Sequence, residues 1–367
     1  TAAPAGDVWW TALIVTMISA ARFGWIAGSS YRRLFETSVW LYFYVFLGVA
    51  PLVQLRSSED PGTTPNLDHS FDGTAFGIIL IAQISLMLGS HLAGRRISPS
   101  SHTAARAVNP HRVAWATLLM LAIAIAYIAT VGPSVLFSSR ESRDQAVAAA
   151  FSDPLASLIL GAFATFGVLV VSVAHIEIRR SRVPGRGRGA VLILLLVALL
   201  VIVNPIGAPR FVFLTVVLGL LAAWGVYRTL PRFRVIALSS IAGLVLLFPL
   251  LDTFRRSLDA KIASADPLAS LKEGDFDSFG QVLNAAWYVD GAGFTWGNQF
   301  LGVIFFWVPR SIWEEKPKDT GIFLAEQKGY WFTNLSAPLP AELYINWGWV
   351  GVGLGSLILG IYLRRAD

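Results

Sequence analysis

The sequence predicts an all-α polytopic membrane protein with about nine transmembrane helices and a long extracytoplasmic cap. Three observations lead there. Of 367 residues, 55% are hydrophobic and only 14% charged, whereas a soluble domain carries about 25% charged residues. Mean hydropathy is +0.60, so most of the chain has to lie in lipid rather than build two or three soluble domains. Apolar runs near the roughly 20 residues that cross a bilayer core recur along the chain, and the connecting loops alternate in charge.

The first run, Trp9 to Gly28, has no basic leader and no small-residue cleavage site, so it reads as a spanning helix rather than a signal peptide. A chain opening on Thr1 reads as processed or truncated. Runs over 37–55, 74–94, 113–131 and 154–176 follow. A shorter one, 189–203, is preceded by the flexible turn Gly185-Arg-Gly-Arg-Gly189 and ends in Asn204-Pro-Ile-Gly-Ala-Pro209, a helix-breaking turn. Runs over 210–227 and 233–251 complete a block of eight spans in residues 1–251. Residues 341–367 hold the ninth, 341–363, and a cytoplasmic end. No internal repeat stands out. Residues 252–340 are the long connection, and Trp287, Trp296, Trp307, Trp313 and Trp331 make it too aromatic for disorder. It is expected to fold as a cap, with Phe300–Val308 dipping into the membrane interface.

One set of loops carries 16 basic residues against Glu36, Glu177 and Asp367; the other carries 12 basic and 20 acidic residues, and Arg22 lies within the first span. Cytoplasmic loops collect Lys and Arg, which puts the first set inside, the N-terminus outside and the C-terminus inside. The net charge of +6 and pI of 9.7 therefore set orientation and carry no nucleic-acid footprint. Cysteine is absent, which excludes disulfides, thiolate metal sites and thiol nucleophiles. The five histidines, His69, His91, His102, His111 and His175, have no metal-ligand spacing; those at the cytoplasmic edge read as headgroup contacts. No metal or cofactor is expected. Asp275-Phe-Asp277 has the Asp-x-Asp form of nucleotide-sugar enzymes, but the loop is too short for their soluble domain, and it reads as solvated surface.

Basic residues on the acidic side run against the orientation rule and need a reason. Arg140 and Arg143 follow the fourth span, Arg255 and Arg256 open the cap, and Arg310 and Lys316 lie later in it. Guanidinium groups grip phosphate oxygens bidentately and stay charged, so an anionic ligand is one explanation. Lipid headgroups, or pairing with Glu141, Asp144, Asp252 and Asp259, is the other. Arg210 has no acid near it in sequence and opens a helix at membrane depth, which favours function. Glu342 enters the last span just after Ala337-Pro-Leu-Pro-Ala341, where a partly dehydrated carboxylate is disposed to take up a proton; capping the first helical turn is its other reading. Asp252 and Asp290 are reserve carboxylates, and Asp68 and Asp72 are an option by analogy alone. Gly351-Val-Gly-Leu-Gly355 is a small-residue face for helix packing. Any cap tryptophan reads first as core and second as a platform for sugar.

The stretch Val308-Pro-Arg-Ser-Ile-Trp-Glu-Glu-Lys-Pro317, followed by Pro340-Ala-Glu-Leu-Tyr-Ile-Asn-Trp-Gly348, resembles bacterial oligosaccharide repeat-unit polymerases of the O-antigen and capsule kinds. Arg210 after a short turn is similar to an arginine these proteins carry at a helix mouth, and Arg310 and Gly321 have an Arg-x10-Gly spacing described in them. No second copy follows Arg140, Arg143 or Arg210, and the motif-bearing likeness covers residues 210–348. It implies a membrane-embedded glycosyltransferase of the GT-C-like type at the outer face of the inner membrane. Its substrate would be a polyprenyl-diphosphate-linked oligosaccharide, and its partners membrane lipids and a chain-length regulator protein. On that likeness Arg210 and Arg310 hold the diphosphate, with Lys316, Arg255, Arg256, Arg140 and Arg143 as weaker members, and Glu342, Asp252 or Asp290 takes the proton. Rival readings are an O-antigen ligase, disfavoured because 252–340 has no histidine, a single-sugar cell-wall glycosyltransferase, and a lipid-linked sugar transporter.

Overall fold

The structure, a computed structural model, describes residues 8–93, 108–151, 153–180, 187–247, 267–310 and 312–367. Among these residues all regular structure is helical. In chain order the main helices are α1 (Trp9–Gly28), α2 (Leu34–Ser57), α3 (Asp72–Leu92), α4 (Pro110–Val131), α5 (Arg140–Ala150), α6 (Leu155–Arg180) and α7 (Arg188–Ile202). Then come α8 (Arg210–Ala223), α9 (Leu230–Ala242), α10 (Ser278–Ala292), α11 (Asn298–Ile304), α12 (Thr320–Gln327) and α13 (Leu339–Ala366).

Six of these, α1, α2, α3 with the turn His69–Phe71 before it, α4, α6 and α13, are long and apolar enough to cross a membrane. The nine-span expectation therefore holds in part. Its sixth and seventh members are helices of 15 and 14 residues, short of the roughly 20 a crossing needs. Its eighth is α9 followed by a π turn over Gly243–Leu247, with residues 248–266 outside the described ones.

Helix starts follow local chemistry. Asn109 and Asp153 accept hydrogen bonds from the first free backbone N–H groups at the starts of α4 and α6, Asn109 just ahead of Pro110, the first residue of α4, and Asp153 just ahead of Pro154, which leads into α6. Asp319 does the same for α12, accepting from the Gly321 N–H at 2.9 Å. π turns over Val45–Val49 and Phe163–Gly167 interrupt α2 and α6.

The chain divides into two compact units. The first comprises Thr1–Ile97, Ala237–Ile241 and Asp266–Asp367. Its core joins α1, α2, α3, α10 and α13 through Ile26, Trp40, Phe76, Phe279 and Ile345. The expected single last span is broken: α13 departs from helical geometry at Gly348 (φ 61°, ψ −150°). In a straight helix Leu343 and Gly355 would stand about 18 Å apart along the axis. Here a Cβ on Gly355 would lie 2.5 Å from the Leu343 side chain, and Leu339 and Leu359 line one groove. Residues 339–347 are thus a first arm folded back along the second, 349–366. Gly351 and Gly355 receive that first arm, whereas Gly353, Gly360 and Gly89 let the second arm run close beside α3. The small-residue face serves packing, as expected, but two of its three glycines, Gly351 and Gly355, meet the helix's own first arm.

The second unit comprises Ser98–Ile236 and Ala242–Ala265, with a core of Tyr127, Val131, Leu136, Val168, Leu195 and Leu199. Its break at 204–209 is organised by Asn204, which is 1% exposed. The Asn204 side chain donates to the Leu136 carbonyl at 2.8 Å and accepts from the Ile206 and Gly207 N–H groups at 3.0 and 2.9 Å.

Candidate functional site

The first unit holds a cavity of about 690 Å³ between α11, α12 and the segment joining them. Its lining includes Gln299, Phe306, Arg310, Lys316, Lys318 and Glu326. Local sequence shapes this wall. Gly302 lets Pro317 lie against α11, and Gly321 lets the Leu335–Ser336 backbone lie against α12. Gly321, the second half of the Arg-x10-Gly spacing, therefore has a packing role. The Lys316 ammonium donates to the Phe306 and Val308 carbonyls at 2.5 and 3.0 Å, closing the turn after α11. The Arg310 guanidinium donates through Nη1 to the Lys316 carbonyl at 2.7 Å and is otherwise exposed toward the cavity it lines. Lys318 pairs with Glu326 at 2.5 Å. Two predicted cations thus come together, with Lys316 bracing the turn that carries Arg310.

Glu342 sits on the first arm of α13, half-buried, one layer behind this wall. Its Oε2 accepts a hydrogen bond from the Thr320 hydroxyl at 2.8 Å, and that hydroxyl lies 3.4 Å from Oε1 of the cavity-lining Gln299. The arm is fixed from its other end. Asn346, fully buried, donates to the Glu342 carbonyl at 2.8 Å and accepts from the Thr295 hydroxyl and the Phe300 N–H. Gln299, Thr320 and Lys318 escaped the sequence reading. The signal that marks Thr320 is the helix start Asp319-Thr320 just after the Lys-Pro of the motif.

The other candidates stand elsewhere. Asp290 is exposed on α10, outside the cavity lining. Asp252, Arg255 and Arg256 lie outside the described residues. In the second unit Arg210 is the first residue of α8. Arg140 faces Asp144 at 3.8 Å, so local pairing accounts for it. Arg143 is 7% exposed and donates through Nη2 to the Ile202 carbonyl at 3.0 Å, where it caps the end of α7. Among the described residues no set of three His, Asp or Glu side chains is placed to hold a metal ion.

Several secondary expectations change. Asp68 accepts from Ser70, and the buried Asp72 is bound to His69, which also meets Asp60 at 3.0 Å; both acids are committed locally. His175 is buried on the Thr117 hydroxyl rather than at headgroups. Trp296 and Trp331 are 79% and 75% exposed and are not core residues. Asp277 is not solvated surface either. It accepts from the Thr63 hydroxyl at 2.7 Å, and burial, aided by the charge of Asp275, pushes its carboxyl up to about 6.

That shift fixes a sign. Asp277 holds its proton more tightly folded than unfolded, so its contribution to stability is full below about pH 4 and is lost as pH rises through about 6. Asp277→Asn should therefore be more stable than the parent at pH 7.5, by roughly 2 kcal/mol, and should flatten the pH dependence between those limits. Thermal unfolding in detergent across that range measures it; parallel curves for the two proteins would refute it.

The first unit thus carries an open cavity lined by three cations, Arg310, Lys316 and Lys318, and two carboxylates, Asp319 and Glu326, with Glu342 held behind one wall by a hydroxyl. Compared with family models, with curated proteins and with solved structures, the chain matches none.

Proposed function

We propose that the protein is a membrane-embedded glycosyltransferase that polymerises polyprenyl-diphosphate-linked oligosaccharide repeat units at the outer face of a bacterial inner membrane. One observation carries the reading: Arg310, Lys316 and Lys318 line a single cavity whose Gln299 wall connects through Thr320 to Glu342. The neighbouring Phe306, Trp307 and Ile312 are 74%, 68% and 77% exposed. They offer an apolar ledge for a lipid chain beside a cation for its headgroup.

In the reaction, a hydroxyl of one repeat unit attacks the anomeric carbon of another. The bond from that carbon to the diphosphate oxygen breaks, and the electron pair leaves with the diphosphate. Arg310, already in place, stabilises the growing negative charge. The hydroxyl proton passes by way of Thr320 to Glu342.

The test is turnover of a purified polyprenyl-diphosphate repeat unit. The expected product is a ladder, reduced about 10²–10³-fold in Arg310→Ala. A ladder undiminished in that variant would remove Arg310 from the site. A single added sugar would indicate the single-sugar transferase, and attachment to a lipid A-like acceptor the ligase. The helix breaks at 204–209 and Gly348 favour a second reading, transport of a lipid-linked sugar. Vesicle uptake of the lipid without new glycosidic bonds would select it.

A further inference from the structure

At the end of the first unit remote from the cavity, two arginines share one acid. Arg22, on α1, donates to the Ser90 hydroxyl at 3.0 Å and lies 3.5 Å from Glu36. Arg33, just before α2, donates to the same carboxylate at 3.2 Å. Ser90 donates to Glu36 as well. Arg33 and Glu36 are 5% and 1% exposed. Among the described residues, Glu36 is the one carboxylate in ion-pair contact with either guanidinium. Asp367 is nearby, but its two oxygens accept the Phe35 and Glu36 backbone N–H groups, capping α2. Arg364 adds a third positive charge within electrostatic reach.

The cluster therefore carries one more guanidinium than its carboxylates balance. In a low-dielectric setting an unbalanced charge is costly. The Nε atoms of Arg22 and Arg33 are buried and have no hydrogen-bond partner. Both guanidinium groups lie over the Trp25 ring, at 4.4 and 4.6 Å from its centroid, while that ring is 55% exposed. An exposed indole at the end of a membrane helix sits at headgroup level, and Arg is the side chain best suited to a phosphate there. We infer that Arg22, Arg33 and Trp25 form a site for the phosphate of an anionic lipid headgroup. The site is independent of the cavity and of the reaction proposed for it.

The test uses the whole protein in neutral detergent, titrated with phosphatidylglycerol, phosphatidylcholine or inorganic phosphate while unfolding is followed by temperature. Phosphatidylglycerol should raise the midpoint by on the order of 5 °C, and the other two should leave it in place. Arg22→Gln keeps the Arg33–Glu36 pair and removes the surplus charge, so it should abolish the response. If that variant fails to fold, Trp25→Leu at an exposed ring carries the same expectation. An equal rise with phosphatidylcholine, or a full response in the variant, would overturn the site. A rise with inorganic phosphate alone would overturn the lipid as its occupant.

Discussion

Gly348→Ala is expected to lower the unfolding midpoint by several degrees and to dismantle the first arm of α13. Two independent costs coincide at this position. The backbone, at φ 61° and ψ −150°, occupies a region that side chains other than glycine rarely enter, worth about 1–3 kcal/mol. A Cβ there would also lie 2.6 Å from the half-buried Phe294 ring, which packs edge-on against Trp296 and Tyr344, and displacing that ring adds to the cost. Gly353→Ala is the control, because its Cβ would meet only the Ser85 hydroxyl at 3.9 Å. It should unfold with the parent. If both variants behave alike, the fold-back does not depend on Gly348.

The second large effect concerns chemistry. Glu342→Gln preserves the size of the side chain and a bond to Thr320, but it removes the group proposed to accept the proton. Turnover of the lipid-linked repeat unit should fall about 10²–10⁴-fold, with retention of the lipid substrate by the protein unchanged. Thr320→Ser should keep most activity and Thr320→Val should lose it, because a hydroxyl rather than a shape is what the side chain supplies. Undiminished turnover in Glu342→Gln would assign the base to another carboxylate, with the cavity-lining Asp319 the next to test. Loss of substrate retention together with turnover would instead make Glu342 a binding group.

The membrane-spanning character was legible because it depends on composition over windows of about 20 residues, which tertiary structure does not alter. The break in α13 was not. Pro338, Pro340 and Glu342 read as one helix start, and nothing local marks Gly348 as the place where the chain reverses. That reversal depends on Phe294, which lies in a loop distant in sequence, and on Gly351 and Gly355, which look the same whether they receive a neighbouring helix or their own first arm. The π turns add a second difficulty: each inserts a residue, so faces drawn at 3.6 residues per turn lose phase by about 100° beyond it. Arg310 and Lys316 could be singled out because basic residues in a loop whose overall charge is acidic run against the orientation rule and call for a reason. Gln299 and Thr320 carry no charge and acquire meaning only when α11, α12 and α13 meet. Asp277 illustrates the converse error, since a carboxylate in a polar stretch looks solvated until Thr63 arrives from another loop.

The way the first arm of α13 ends bears on how a site built around it would operate. Ile345 gives its carbonyl to the Thr295 N–H at 2.9 Å, and Asn346 ties Thr295 and Phe300 to the same turn. Gly293, Trp296 and Gly297 all hold positive φ to let that loop close over it. The arm cannot swing without releasing these contacts together. A carboxylate mounted on it arrives aimed before any ligand does, and little reorganisation is left for the reacting step. Selection among sugars would then fall to the entrance, where Arg310 and the aromatic ledge stand, and not to a closing motion around Glu342.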